Sequence, residues 1–314
     1  MMRQPILAAI AAVGLSMMPG CAVVPEADST PPAPAPAAET ETVQPIAIPT
    51  PTAQPEPAPE PAGPTTFVFD GALTQGGYIT GQVPGGTVSA RLDDQALLIR
   101  DGRFFAGFDR DAPSTQMLIA TLADGREIRS PVAIAPREWN IERVNVPLRP
   151  GGSSEAFRRR RAPELEAIWN ARTAESESEG WLQDFAWPVT GRISGMFGRQ
   201  RIYQGTPGSY HSGIDIARPT GTPFVAPADG VVTLATGRPF SLEGYLLIID
   251  HGAGLNSAFL HLSDIAVSEG ERVTRGQRLG AIGSTGRSTG PHLHWSIKWH
   301  DARLDPILFT GPMP

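Results

Sequence analysis

A single cysteine, Cys21, stands in a chain of 314 residues, so no intramolecular disulfide can form and a cysteine-rich zinc site is excluded. Any metal must be held by histidine and carboxylate. Histidine is itself scarce, with six residues and none in the first 210. Long apolar runs are missing too: the stretch from Ile6 to Leu15 falls well short of the roughly 20 residues that a spanning helix needs. Nor is charge of one sign in large excess. A formal net charge of -6 argues against a dominant role on nucleic acid or an anionic membrane surface, so nucleic acid is not an expected partner. A neutral or mixed-charge ligand stays open. The length allows two folded units plus tails, at roughly 100 to 200 residues per domain.

The first residues have the anatomy of an export signal, with Arg3 as the positive end, Ile6 to Leu15 as the apolar run and small Gly20 before Cys21. Met18-Pro19-Gly20-Cys21 resembles the lipobox of bacterial lipoproteins, which implies that residues 1–21 are a lipoprotein-type signal peptide. Cys21 is then the lipidated N-terminus and membrane anchor, and Ala22 after it fits an outer-membrane destination. The alternative is an ordinary signal with an incidental cysteine, but a lone thiol in an exported chain otherwise has no partner. Residues 22–65 are almost all Pro, Ala, Thr and Glu, a composition that buries too little apolar surface to offset chain entropy. They read as a disordered tether. Forty such residues, extended at about 3.1 Å each, reach on the order of 100 Å.

Residues 66–150 alternate short apolar runs (Phe67 to Phe69, Leu97 to Ile99, Phe104 to Phe108, Met117 to Ile119) with turn signals such as Pro84-Gly85-Gly86 and Asp124-Gly125. The pattern predicts a small antiparallel β-sandwich. It holds no histidine, so a binding or spacer role is expected. Residues 151–186 read as a helical linker, with Phe157, Leu165, Ile168 and Trp169 as intermittent apolar positions. Arg158 to Arg161 within it suggest a solvated helix face rather than a nucleic-acid patch. Residues 187–314 turn to β-branched strands with dense glycine turns, so the chain as a whole is expected to be all-β, with a compact C-terminal β-sandwich, a smaller N-terminal one and a connecting helix.

All six histidines (His211, His251, His261, His292, His294 and His300) fall in that last region. On a strand, His292 and His294 point to the same face about 6.5 Å apart. One can bind a metal while the other addresses water at that metal. His211 and Asp215 would lie about 13 Å apart on an extended strand, too far to share an ion with ligand bonds of about 2.0 to 2.2 Å. The segment must curl, and Gly213 between them tolerates backbone angles that other residues avoid. His211, Asp215 and one of the paired histidines make a three-ligand set, which is the count of a catalytic zinc site. Two imidazoles and one carboxylate favour a single zinc ion over harder cations.

The run from Gly213 to Pro223, then Asp229 to Val232, His261-Leu262-Ser263, and Gly283 to His294 resembles, in order and almost without gaps from Trp187 to Pro306, the M23 family of lysostaphin-type endopeptidases. The resemblance implies a lysostaphin-like peptidase fold, zinc ligands at His211, Asp215 and His294, catalytic histidines at His261 and His292, and peptidoglycan as substrate. It departs at Ser296, where many members have glutamate. In this reading His292 is the general base, and His261 stabilises developing charge or protonates the leaving amine, with the roles open to exchange. Tyr210, Thr285 and Ser288 are candidate substrate contacts, and Gly283 to Gly290 the groove rim. His251 reads as a turn residue with a lesser chance of touching substrate, and His300 as surface. A non-catalytic relative that binds peptidoglycan or activates another wall hydrolase is the alternative, though all five positions are filled. Residues 269–280 also resemble the hairpins of lipoyl and biotinyl carriers, which carry a lysine at the hairpin tip; the chain's lone lysine, Lys298, lies elsewhere.

Overall fold

The computed structural model describes residues 63–148 and 154–314. The signal with Cys21, nearly all of the tether and residues 149–153 lie outside the described residues. The rest is mostly strand, with two helices, α1 (Glu155–Thr173) and the one-turn α2 (Ile307–Thr310).

Two antiparallel sheets make up the N-terminal part. One holds Val68–Gly71, Tyr78–Gln82 and Arg103–Gly107, the other Gln95–Leu97, Thr87–Leu92, Thr115–Leu122 and Glu127–Ala133. Their inward residues, Ile79, Phe104 and Leu118 among them, are fully buried. This core does not end at the sheets: Phe105 packs against Trp299 and Phe309, and Tyr78 stacks on Phe309 at 4.1 Å. A parallel pairing of Ile141–Val144 with Gln200–Tyr203 joins the same two parts through the backbone.

The C-terminal part is a ten-stranded sheet whose main path runs Arg272–Val273, Gly230–Ala235, Tyr245–Asp250, Leu255–Ile265, His292–Trp299, Ile214–Ala217, Arg192–Gly195. Alternation in the His292–Trp299 strand explains its place in the middle. Leu293, Trp295, Ile297 and Trp299 face the apolar core and are buried, while His292, His294, Ser296 and Lys298 occupy the other face. Fully burying each such apolar side chain contributes about 1.5 to 3 kcal/mol, so the register is held firmly. A slip of one residue would turn the histidines into the core.

Helix α1 starts where Ser154 accepts a hydrogen bond from the Phe157 amide at 3.2 Å. It packs Ala167, Ile168 and Ala171 against Leu234, Phe240, Leu246 and Ile248. Leu165 and Trp169 do not join that stripe; they are 51% and 66% exposed. Arg158, Arg159 and Arg160 are exposed as expected of a solvated face, but Arg161 turns inward to an ion pair.

His251 does sit in a turn, yet it is fully buried and so out of reach of substrate. Its Nδ1–H donates to the Asp229 carbonyl at 2.7 Å, and its Nε2 accepts from Ser257 Oγ at 2.8 Å. Burial pushes this imidazole down to about 4, so the folded chain resists a proton that the unfolded chain accepts near pH 6.5. Between those values the unfolded state binds more protons, and stability falls as pH falls. The expected loss from this residue is about 3 kcal/mol between pH 7 and pH 4. Denaturant midpoints across that range should drop more steeply for the native chain than for His251→Gln; parallel curves would reject the assignment.

Candidate metal centre

Three side chains from two adjacent strands and the turn before one of them meet on one face of the large sheet. Asp215 and His294 are direct cross-strand partners in the antiparallel pairing of Ile214–Ala217 with His292–Trp299. His211 arrives from the bend just before Ile214. Its Nε2 lies 3.1 Å from Asp215 Oδ1 and 3.1 Å from His294 Nδ1, while His294 Nδ1 lies 2.8 Å from Asp215 Oδ1. Gly213 allows this curl by its lack of a side chain rather than by a left-handed φ. A Cβ there would stand 2.3 Å from the Trp295 carbonyl oxygen and 2.9 Å from His294 Nε2.

Whether this set suits a metal follows from its hydrogen-bond inventory. His211 Nδ1 faces the Met196 carbonyl at 2.9 Å, and a carbonyl only accepts, so the ring's proton is on Nδ1 and its Nε2 carries a lone pair. That lone pair then faces a carboxylate oxygen, and two acceptors at 3.1 Å repel unless a cation or an additional proton lies between them. The two imidazole nitrogens and one carboxylate oxygen also sit close to the spacing of about 3.3 Å that 2.0 to 2.1 Å bonds to a tetrahedral zinc impose. No fourth His, Cys, Asp or Glu joins the group among the described residues, as in catalytic sites with three protein ligands. The residues fit the metal.

Electrostatics agree. Burial works against an ionised Asp215, but the hydrogen bonds and charges of His211 and His294 outweigh it and hold the carboxyl well below the usual carboxylate range. Burial likewise opposes protonation of His211, and the Asp215 carboxylate more than offsets that, raising its pKa. Burial pushes His294 and His261 down.

His292 and His261 flank this candidate ligand set. His292 directs Nδ1–H to the Gly290 carbonyl at 2.8 Å and sets Nε2 3.6 Å from Asp215 Oδ1. His261 directs Nδ1–H to the Thr285 carbonyl at 2.8 Å, and its ring centroid is 4.9 Å from that of His292. Both imidazoles therefore keep Nε2 for chemistry. His261 has a φ of 63°, left-handed backbone in mid-strand that costs of order 1 to 3 kcal/mol. It falls where Leu255–Ile265 changes partner, from His292–Trp299 up to Leu260 to Arg278–Ile282 from Leu262 onward.

Tyr210 is part of a stack rather than a free surface ring. The guanidinium of Arg110 lies 4.5 Å from it and 5.1 Å from Trp139, Arg303 lies 5.3 Å from Tyr210, and Arg137 lies 4.6 Å from Trp139. The stack fixes the residue next to His211. Thr285 uses its hydroxyl to donate to the Leu262 carbonyl and to accept from the Tyr245 amide. Ser288 lines the cleft of about 380 Å³ over the ligands, and its Oγ donates to the Gly290 carbonyl at 2.7 Å, bracing the carbonyl that orients His292. His300 is half-buried, its ring 4.8 Å from that of Trp299.

Sequence reasoning missed two contributors. Gly195, opposite Asp215 in the edge strand, has no room for a side chain: a Cβ would stand 2.2 Å from Asp215 Oδ2. Arg161 of α1 makes a two-pronged ion pair with Glu243, both contacts 2.6 Å, and Glu243 accepts the His261 amide on its backbone carbonyl at 2.8 Å. The neighbouring Glu164 accepts from Ser241. The helix thereby clamps the loop that supports His261.

The profile of peptidase family M23 matches residues 209–306. Peptidoglycan DD-endopeptidase ShyA of Vibrio cholerae is 43% identical over 123 residues, covering 39% of this chain and 28% of its own length. DD-carboxypeptidase/endopeptidase Mpg of Neisseria meningitidis is 42% identical over 104 residues, covering 33% and 24%. The matched stretch thus spans about a quarter of the length of these curated relatives. A crystal structure of a Pseudomonas aeruginosa chain, solved as a candidate M23 peptidase, is similar over 76% of this chain and 95% of that one, with 28% identity and a TM-score of 0.60.

Proposed function

Because this chain carries a peptidase family M23 domain, we propose that it is a zinc metalloendopeptidase that hydrolyses peptide bonds in the stems or cross-bridges of bacterial peptidoglycan. The observation that carries this reading is the convergence of His211 Nε2, Asp215 Oδ1 and His294 Nδ1 within 3.1 Å of one another, with two further imidazoles beside them. Zinc in this set supplies a Lewis acid that polarises the scissile carbonyl and lowers the pKa of water toward about 7. His211, Asp215 and His294 hold and orient it, and the Met196 carbonyl keeps His211 in the ligating tautomer.

His292 acts as general base. Its Nδ1–H is committed to Gly290, so a neutral ring presents a lone pair at Nε2 beside the ligands, ready to take a proton from attacking water. His261 has the same tautomer through Thr285. It therefore becomes a donor to the tetrahedral oxygen or to the leaving amine only after gaining a proton. Since both rings start as acceptors, each can take the first proton and return it later, which leaves the roles exchangeable.

Cell-envelope action agrees with the relative named as a peptidoglycan DD-endopeptidase. We assign the export signal, the lipid on Cys21 and the extended tether to this setting as well, holding the peptidase near its wall substrate, on the periplasmic side where the organism has one. The test uses isolated cell wall. Chelation with EDTA should abolish release of peptide fragments, one equivalent of zinc should restore it, and mass spectrometry of the products identifies the bond cut. Unchanged wall with one zinc bound per chain would sink the enzyme reading and leave a wall-binding or hydrolase-activating role.

A further inference from the structure

Helix α1 and the far half of the His292–Trp299 strand enclose a second cavity, of about 910 Å³, which shares Ser212 and Glu243 with the cleft over the metal ligands. It continues that cleft. Its floor follows from strand periodicity: past His294 the same face presents Ser296 and then Lys298. Lys298, four residues on, lies about 13 Å along the strand from His294, the length of a few residues of extended peptide.

The cations here are poorly compensated. Arg161 has Glu164 and Glu243. Arg172 instead donates to Asn256 Oδ1 and Ser296 Oγ, both neutral, and has no carboxylate within ion-pair distance among the described residues. Arg303 lies against the Tyr210 ring and likewise has no ion-pair partner among the described residues. Lys298 has only Asp301 at 3.7 Å, and that side chain is fully exposed. Burial, then the charge of Arg303, pushes Arg172 down to about 10, and burial, then Arg172, pushes Lys298 down. Of the acids at this cavity, Glu243 is taken by Arg161, and Glu166 and Asp301 are exposed. Beside the cations, Trp169 and Leu165 leave apolar surface open to solvent.

We propose that this groove is a carboxylate-binding subsite, in which Arg172, Lys298 and Arg303 hold an acidic, extended stretch of the substrate peptide on one side of the bond being cut. It rests on the peptidase reading above. Arginine and lysine that are poorly paired are the donors a carboxylate recruits, and with Arg172 on α1 and Lys298 and Arg303 on the strands they set which end of the peptide lies over α1.

The probes are cross-linked muropeptides from digested cell wall, with their carboxylates free or amidated, and the protein is the full chain. With zinc loaded, the free form should be cleaved with kcat/KM about tenfold higher, the difference lying in KM. Lys298→Met should erase most of that preference with kcat and zinc content unchanged. A calorimetric titration of the zinc-free chain with both forms reads the groove without any cleavage, and the free form should bind tighter in the native chain but not in Lys298→Met. Equal binding of the two forms overturns the subsite. Selective binding with no cleavage by the zinc-loaded chain overturns the peptidase reading instead and leaves the subsite standing.

Discussion

His292→Ala should bind zinc one to one and yet lose about 10² to 10⁴-fold in kcat on cell-wall peptides, the range expected when a positioned general base is removed. The substitution takes away no ligand atom, since Nε2 of His292 stands 3.6 Å from Asp215 Oδ1 while the three converging atoms are 2.8 to 3.1 Å apart. Nor does it unpair the strand, because the His292 amide, which bonds the Gly283 carbonyl, is backbone. His261→Ala should behave alike. With both rings acting on one proton inventory, the double variant should be little worse than the single ones, for groups that work as a unit lose function together. Zinc content by elemental analysis and kcat on the same preparations decide it. A His292→Ala chain with full zinc and near-native kcat would remove the base from the mechanism, and one without zinc would make His292 a ligand.

The parts of this centre that could be read from sequence are those that depend on side-chain type and backbone period. His292 and His294 share a face because a strand has period two, and the curl between His211 and Asp215 follows from the reach of an ion. The strands around Leu246 to Ile249 and Leu279 to Ile282 are legible instead as short apolar runs between glycine-rich turns, buried on both faces. What stayed hidden depends on backbone atoms or on contacts distant in sequence. Thr285 and Gly290 orient the His261 and His292 rings through carbonyls that any residue would supply, so residue identity carries no signal. Arg161 and Glu243 are 82 positions apart, and within a run of four arginines nothing marks the one that turns inward. The apolar stripe of α1 differs from the sequence expectation for a related reason: Leu165 and Trp169 look like core by composition, but the helix offers the sheet its narrower Ala167–Ile168–Ala171 face. The left-handed φ of His261 has no sequence mark either, because the strand's change of partner imposes it.

Gly195→Ala should weaken zinc binding at the candidate centre while leaving the fold in place. The added methyl would sit 2.2 Å from Asp215 Oδ2, 2.9 Å from its Cγ and 3.0 Å from His211 Cε1, so two of the three ligands are in its way. Asp215 has two side-chain torsions with which to escape, and either moves Oδ1 away from His211 and His294. Ligand bonds of about 2.0 to 2.2 Å do not tolerate a displacement approaching 1 Å, so zinc affinity should fall at least as far as it does when a group orienting a ligand is lost, about 10 to 100-fold. The strand Arg192–Gly195 closes the path of the sheet at its edge, where the main chain can give way more cheaply than in the core, so the zinc-free melting temperature should stay close to that of the native chain. Gly237→Ala is the control, because a Cβ there meets nothing within 4 Å. Competition with a chelator measures affinity, and a thermal melt of each zinc-free chain measures fold. If Gly195→Ala competes for zinc as well as Gly237→Ala does, the carboxylate has slack that the packing around it denies, and the rigid three-ligand centre is the wrong description.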